Sequence, residues 1–251
     1  MRSQLVINHI VNWLKDYSVA SKTDGFVIGI SGGIDSAVTS TLCALTGKKV
    51  IALNLPIRQF KKEFDLSSEH IKWLTANFKN VESATVDLSA SLESLEKAFP
   101  VDIQDFLTMA NTRARLRMTT LYAFAGHHKL LVAGTGNKVE DFGIGFFTKY
   151  GDGGVDISPI ADFLKTEVYE IAKEIGVNQE IINALPTDGL WEDDRNDESQ
   201  IGASYPELEW AMQFVNDREL TKREEQILTI YNKLHHQNKH KMVEIPIYKK
   251  I

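Results

Sequence analysis

Apolar residues at Leu5, Ile7, Ile10, Val11, Leu14 and Tyr17 recur at roughly helical spacing, so residues 4–17 read as an amphipathic helix. The pattern then changes period. A β-branched run over 26–30 predicts a strand, 35–45 a helix, 50–53 a strand, 67–78 a helix and 81–86 a strand. A longer helix follows over 106–125, then a strand over 130–133, and a further helix begins at Asp162 with that residue as its N-cap. Strands alternating with helices of this length predict parallel βαβ units, hence an α/β fold with a doubly wound parallel sheet and flanking helices. In such sheets ligands bind at the carboxyl ends of the strands. The polar stretches 54–65 and 187–201 read as loops near that edge, where long loops commonly act as lids. With no internal repeat or low-complexity linker, residues 1–251 read as one domain.

The first strand runs into its helix through Phe26-Val-Ile-Gly-Ile-Ser-Gly-Gly-Ile-Asp-Ser36. Two glycines between a strand and a helix N-terminus aim several backbone N–H groups and the positive end of the helix dipole at one point, which suits a phosphate. Ser31 and Ser36 add hydroxyls. Asp35 places a carboxylate where an anion is expected, a conflict that Mg²⁺ between the two would resolve. The same residues also fit an ordinary tight turn with Asp35 as N-cap. Neither of the common nucleotide fingerprints, Gly-x-x-x-x-Gly-Lys-Ser/Thr or Gly-x-Gly-x-x-Gly, is present at a strand end.

Composition narrows the class without naming a reaction. The chain has 251 residues, 43% hydrophobic and 25% charged, as expected for a globular protein. It has no signal-peptide pattern or long apolar run, and a cytoplasmic location is expected. A net charge of −6 and a pI of about 5.7 argue against a general nucleic-acid binder. The basic stretch Lys233–Lys241 reads as a solvated helix tail. The lone cysteine, Cys43, lies among apolar helix residues and reads as a small core residue.

Later segments carry further chemistry. In helix 106–125 the residues Leu107, Ala110, Ala114, Met118, Leu121 and Ala125 form an apolar stripe. At about 100° per residue, Arg113 and Arg117 fall on one flank of it and Arg115 on the other. Gly134-Thr-Gly-Asn-Lys-Val-Glu140 is a glycine-bracketed turn after a strand, and Glu140 could pair with Asp35 across the strand ends to hold Mg²⁺. Gly145-Phe-Phe-Thr-Lys-Tyr-Gly-Asp-Gly-Gly-Val-Asp156 is a glycine-dense loop fit to wrap a polar ligand. A lysine in the first turn of a helix opposes the dipole by up to about 1 kcal/mol, so Lys165 suits a nearby phosphate.

Ser-Gly-Gly-x-Asp-Ser resembles the pyrophosphate loop of the ATP pyrophosphatases, which cleave ATP to AMP and pyrophosphate to activate an oxygen. Asn111-Thr-Arg-Ala-Arg-Leu-Arg-Met118, the Gly-Thr-x-Asn-x-x-Glu pattern and Phe-Thr-Lys-Tyr-Gly-Asp-Gly-Gly resemble segments of one branch, the NAD synthetases. The resemblance implies an adenine nucleotide alpha hydrolase-like fold and ATP-dependent amidation of deamido-NAD by ammonia through an acyl-adenylate. It implies ATP contacts at Gly29, Ile30, Ser31, Gly32, Gly33, Ile34, Asp35, Ser36, Thr135, Lys165 and Thr187, and metal binding at Asp35 and Glu140. It implies deamido-NAD contacts at Arg115, Lys149, Asp156, His240 and Lys241, and a homodimer. Asp35, Glu140, Lys165 and Asp156 carry the implied catalysis, with Asp156 or Glu198 as acceptor of the ammonium proton. Asp188 departs from the family's usual Ala. Glutamine-dependent relatives add a large N-terminal glutaminase domain, and with about 25 residues before the first strand none is expected here. Another adenylating ATP pyrophosphatase and a non-catalytic nucleotide-binding module remain alternatives.

Overall fold

A computed structural model describes residues 3–59, 61–184, 197–215 and 218–250. Helix α1 (Ser3–Ala20) precedes β1 (Gly25–Gly29), α2 (Ile34–Leu45), β2 (Lys49–Asn54), α3 (Lys61–Asn77), β3 (Val81–Thr85) and α4 (Ser89–Ala98). After a short 3₁₀ turn come α5 (Phe106–His128), β4 (Leu130–Val132) and a π-helix (Val139–Ile144). The remainder is helical: α6 (Lys165–Glu174), α7 (Gln179–Asn183), α8 (Asp197–Ile201), α9 (Tyr205–Gln213) and α10 (Lys222–Met242). No described helix is long and apolar enough to cross a membrane.

The four strands are all parallel and lie in the order β3-β2-β1-β4. Alternate β1 side chains explain why helices cover both faces. Phe26 and Ile28 pack with α1, α2 and α6 through Leu14, Leu42 and Ile171, while Val27 packs with α4 and α5 through Leu92 and Met109. The chain moves outward from β1 through β2 to β3 and then returns to the other side of β1. The switch point therefore falls between the carboxyl ends of β1 and β4, where such sheets bind ligands.

Several details differ from the sequence pattern. Leu5 and Tyr17 are exposed, and the core stripe of α1 is Ile7, Ile10, Val11 and Leu14. Leu107 is exposed as well, and its place in the buried stripe of α5 is taken by Met109. Helix α3 starts at Lys61, so part of the expected 54–65 loop is helical, as is 197–201. The N-cap of α2 is Gly33 and not Asp35. The N-cap of α6 is Leu164 and not Asp162, with Glu167 accepting from the Leu164 amide.

Candidate active site

The loop after β1 is tied by its own hydroxyls. Ser36 Oγ donates to the Gly33 carbonyl at 2.9 Å, and Ser31 Oγ accepts from the Gly33 amide at 3.2 Å. The Ser36 hydroxyl thus helps to shape the loop from within, and Ser31 Oγ lies 3.1 Å from it. Gly32 has φ +91°, and a Cβ there would press on the Glu63 carbonyl and Leu66, so only glycine allows α3 to approach this closely. The first-turn amides of α2 have no partner within the helix and face the switch point.

Three predicted residues converge there. Lys165 Nζ lies 2.5 Å from Asp35 Oδ2 and 3.0 Å from Glu140 Oε1, and its side chain is only 4% exposed. A buried ammonium between two carboxylates is stabilised from both sides. Burial opposes its charge, but Asp35 and Glu140 more than offset this and hold the lysine well above its ordinary range. Asp35 is raised above the carboxylate range by burial, with the Glu140 charge adding to it against Lys165. Glu140 ends below that range, because Lys165 and a hydrogen bond from Tyr205 outweigh its burial.

Two further residues complete the cluster. Asn137, fully buried, donates to Asp35 Oδ1 at 3.2 Å and accepts from the amides of Val139 and Glu140 at 3.1 Å, which orients the π-helix that carries Glu140. Tyr205 Oη donates to Glu140 Oε1 at 2.6 Å, and its ring faces Lys165 Nζ at 4.8 Å. The Gly-Thr-x-Asn-x-x-Glu pattern contained Asn137, but nothing local signals Tyr205, which arrives from α9.

The donor chemistry suits Mg²⁺. Two hard carboxylate oxygens aim at one point, and the ammonium between them shows that this point stabilises positive charge. No group of three or more metal-binding side chains occurs among the described residues, but Mg²⁺ needs only one or two carboxylates beside phosphate and water. Thr135 sits half-buried on the same strand-end loop. Thr187 and Asp188 lie outside the described residues.

A second cluster gathers the residues expected at the dinucleotide. Arg115 donates to the Lys149 carbonyl at 3.3 Å, Lys149 Nζ donates to the His240 carbonyl at 2.8 Å, and Lys241 Nζ donates to the Phe147 carbonyl at 2.7 Å. Lys241, at the end of the basic stretch, is therefore docked on the glycine-dense loop, while Lys233, His236 and Lys239 are exposed as expected of a solvated tail. The arginines of α5 separate as their flanks predict. Arg115 is exposed, whereas Arg117 donates to the Leu55 carbonyl at 3.0 Å and burial, with Arg113 beside it, lowers its pKa to about 10. Asp156 has its own partners: Oδ1 accepts from Tyr122 Oη at 3.0 Å and Oδ2 from the Val132 amide at 2.8 Å. This fixes it at the carboxyl end of β4. Glu198 Oε1 accepts from the Tyr205 amide and so caps α9.

Residues 6–250 match the family model described as NAD synthase. The chain is 42% identical over 206 residues to the NH(3)-dependent NAD(+) synthetase of Mycoplasma genitalium, covering 81% of this chain and 80% of that protein. It is 37% identical over 254 residues to the NH(3)-dependent NAD(+) synthetase of Alkaliphilus metalliredigens, covering 98% and 99%. Among solved structures, an NMN synthetase from Francisella tularensis aligns over 100% of both chains with a TM-score of 0.88 and 30% identity.

Proposed function

The chain belongs to the NAD synthase family, and from that premise we propose how its two clusters divide the work. The activity is NH₃-dependent NAD(+) synthesis, a carbon–nitrogen ligation that uses ATP. The observation that carries the division is the meeting of Asp35, Glu140 and Lys165 at the switch point, beside the glycine loop.

The nicotinate carboxylate of deamido-NAD attacks the α-phosphorus of ATP, and pyrophosphate leaves. Both reactants are anions, so this step needs charge neutralisation and in-line placement more than proton transfer. The first-turn amides of α2 and the loop Gly29–Ser36 hold the phosphates, with Thr135 and Thr187 as further ATP contacts. Asp35 and Glu140 would hold Mg²⁺, which when bound supplies charge neutralisation at those phosphates. Lys165 then turns from the carboxylates to phosphate oxygens. Ammonia next attacks the acyl carbon of the adenylate, AMP leaves and NAD forms. Asp156, already oriented by Tyr122 and Val132, or Glu198, which caps α9 through one oxygen, accepts the proton from ammonium.

Arg115, Lys149, His240 and Lys241 bind the dinucleotide, supported by their joint packing on the loop over 145–156. We read residues 1–251 as a single synthetase domain working in the cytoplasm. A homodimer fits the exposed apolar residues Val101, Ile103, Phe106 and Leu107, which are neighbours in sequence around the start of α5.

The full-length likeness to an NMN synthetase favours a second reading, in which the same acyl site amidates the nicotinate mononucleotide. Parallel kinetics with deamido-NAD and nicotinate mononucleotide, each with ATP, Mg²⁺ and ammonium, decide between them. A higher kcat/KM for deamido-NAD supports the dinucleotide assignment of Arg115 and Lys149, and a higher value for the mononucleotide overturns it.

A further inference from the structure

Helix α10 presents three side-chain donors at successive steps of three residues, which place them along one side of the helix. His235 Nδ1 lies 2.7 Å from the Gly143 carbonyl, Asn238 Nδ2 donates to the Ile144 carbonyl at 2.9 Å, and Lys241 Nζ donates to the Phe147 carbonyl at 2.7 Å. A carbonyl only accepts, so the His235 hydrogen sits on Nδ1. Gly143 and Ile144 are the last residues of the π-helix, where carbonyls have no partner inside the helix. In the opposite direction Lys149 Nζ donates to the His240 carbonyl.

Apolar packing already holds α10 against this region, through Ile227, Leu228 and Leu234 with Val139 and Ile144. The donors add something packing cannot, a register. Gly145 turns the chain with φ +65°, and a Cβ there would collide with Asn238, so the loop leaves the π-helix pressed against α10. One end of this arrangement carries Glu140 and the other carries Lys149.

We propose that His235 and Asn238 are positioning residues for the pyridine substrate: by capping the π-helix they fix where the loop 145–156 begins and so where Lys149 stands. The proposal rests on the reading that this loop binds deamido-NAD, and a Lys149→Ala control separates the two. In His235→Leu and Asn238→Leu, singly and combined, KM for deamido-NAD rises, reaching about tenfold in the double variant on the scale of two lost hydrogen bonds. KM for ATP stays at the parent value, while the melting temperature falls by roughly the few degrees that the lost hydrogen bonds cost. His235→Gln, which restores an N–H donor, lies within about twofold of the parent. An unchanged KM for deamido-NAD in the Leu variants, with Lys149→Ala raising it, overturns the positioning role alone. No effect of Lys149→Ala overturns the loop reading and the proposal with it. Equal rises in both KM values reduce α10 to a packing element and overturn the proposal as well.

Discussion

Lys165 and Asp35, 130 residues apart in the chain, meet as Nζ and Oδ2 at 2.5 Å, and Glu140 shares the same ammonium. The lysine keeps two half-buried carboxylates together before any substrate arrives. Replacing it with Met leaves both carboxylates without a cation, a loss of about 3–5 kcal/mol. Like charges at close range then raise one carboxyl, so the variant gains stability relative to the parent as pH falls toward 5. Thermal melts of Lys165→Met are expected to shift upward with millimolar Mg²⁺ more than those of the parent. Melts insensitive to Mg²⁺ in both proteins would count against these carboxylates as a metal pair.

Asp35→Asn keeps the shape of the side chain and removes its charge. The amide can offer its oxygen to Lys165, but its NH₂ then faces the NH₂ of Asn137, a mismatch costing about 1–3 kcal/mol. The protein folds, and turnover in the NAD-forming assay falls below detection. Near-normal turnover would refute the assignment.

Tyr205→Phe deletes the hydroxyl that helps hold Glu140 below the carboxylate range. The Glu140 carboxyl should rise, kcat/KM for ATP fall about tenfold and the Mg²⁺ concentration for half-maximal rate increase, while KM for deamido-NAD stays constant. Mg²⁺ titration of initial rates checks this. An unchanged Mg²⁺ requirement would leave Tyr205 as a packing residue.

The pH dependence of stability has a separate source between α2 and α3. His70 is buried, its Nε2 lies 2.9 Å from Ser40 Oγ, and its Nδ1 has no hydrogen-bond partner among the described residues. Burial lowers its pKa from 6.5 to about 4. The folded form thus keeps it neutral while the unfolded chain takes up a proton below pH 6.5. The associated stability is complete above that pH and is lost as pH falls through 6.5 toward 4. Between pH 7 and 4.5 the parent should lose roughly 2–3 kcal/mol more than His70→Gln in urea unfolding. Equal losses would show that His70 is protonated equally in both states.

The parallel βαβ order was legible in the chain because each strand is a short β-branched run between helical periods. Asp35 was legible from its place in a glycine turn at a helix start, whereas Glu140 and Lys165 stood out from ordinary surface charges chiefly through the resemblance of their segments to the NAD synthetases. That Lys165 would join Asp35 and Glu140 was not legible. Lys165 reads locally as a first-turn lysine near phosphate, and only the packing of α6 against α2 turns it back onto two carboxylates. Tyr205 and Asn238 were invisible for the same reason: each acts on a residue more than 60 positions away. The apolar stripe of α5 misled at Leu107 because this helix packs only part of its length against the sheet.

In the proposed reaction the nicotinate carboxylate attacks the α-phosphorus of ATP before ammonia attacks the acyl carbon. Deamido-NAD labelled with ¹⁸O in that carboxylate should pass one label into AMP, read by mass spectrometry, with none in pyrophosphate. AMP free of label, or label in pyrophosphate, would contradict it.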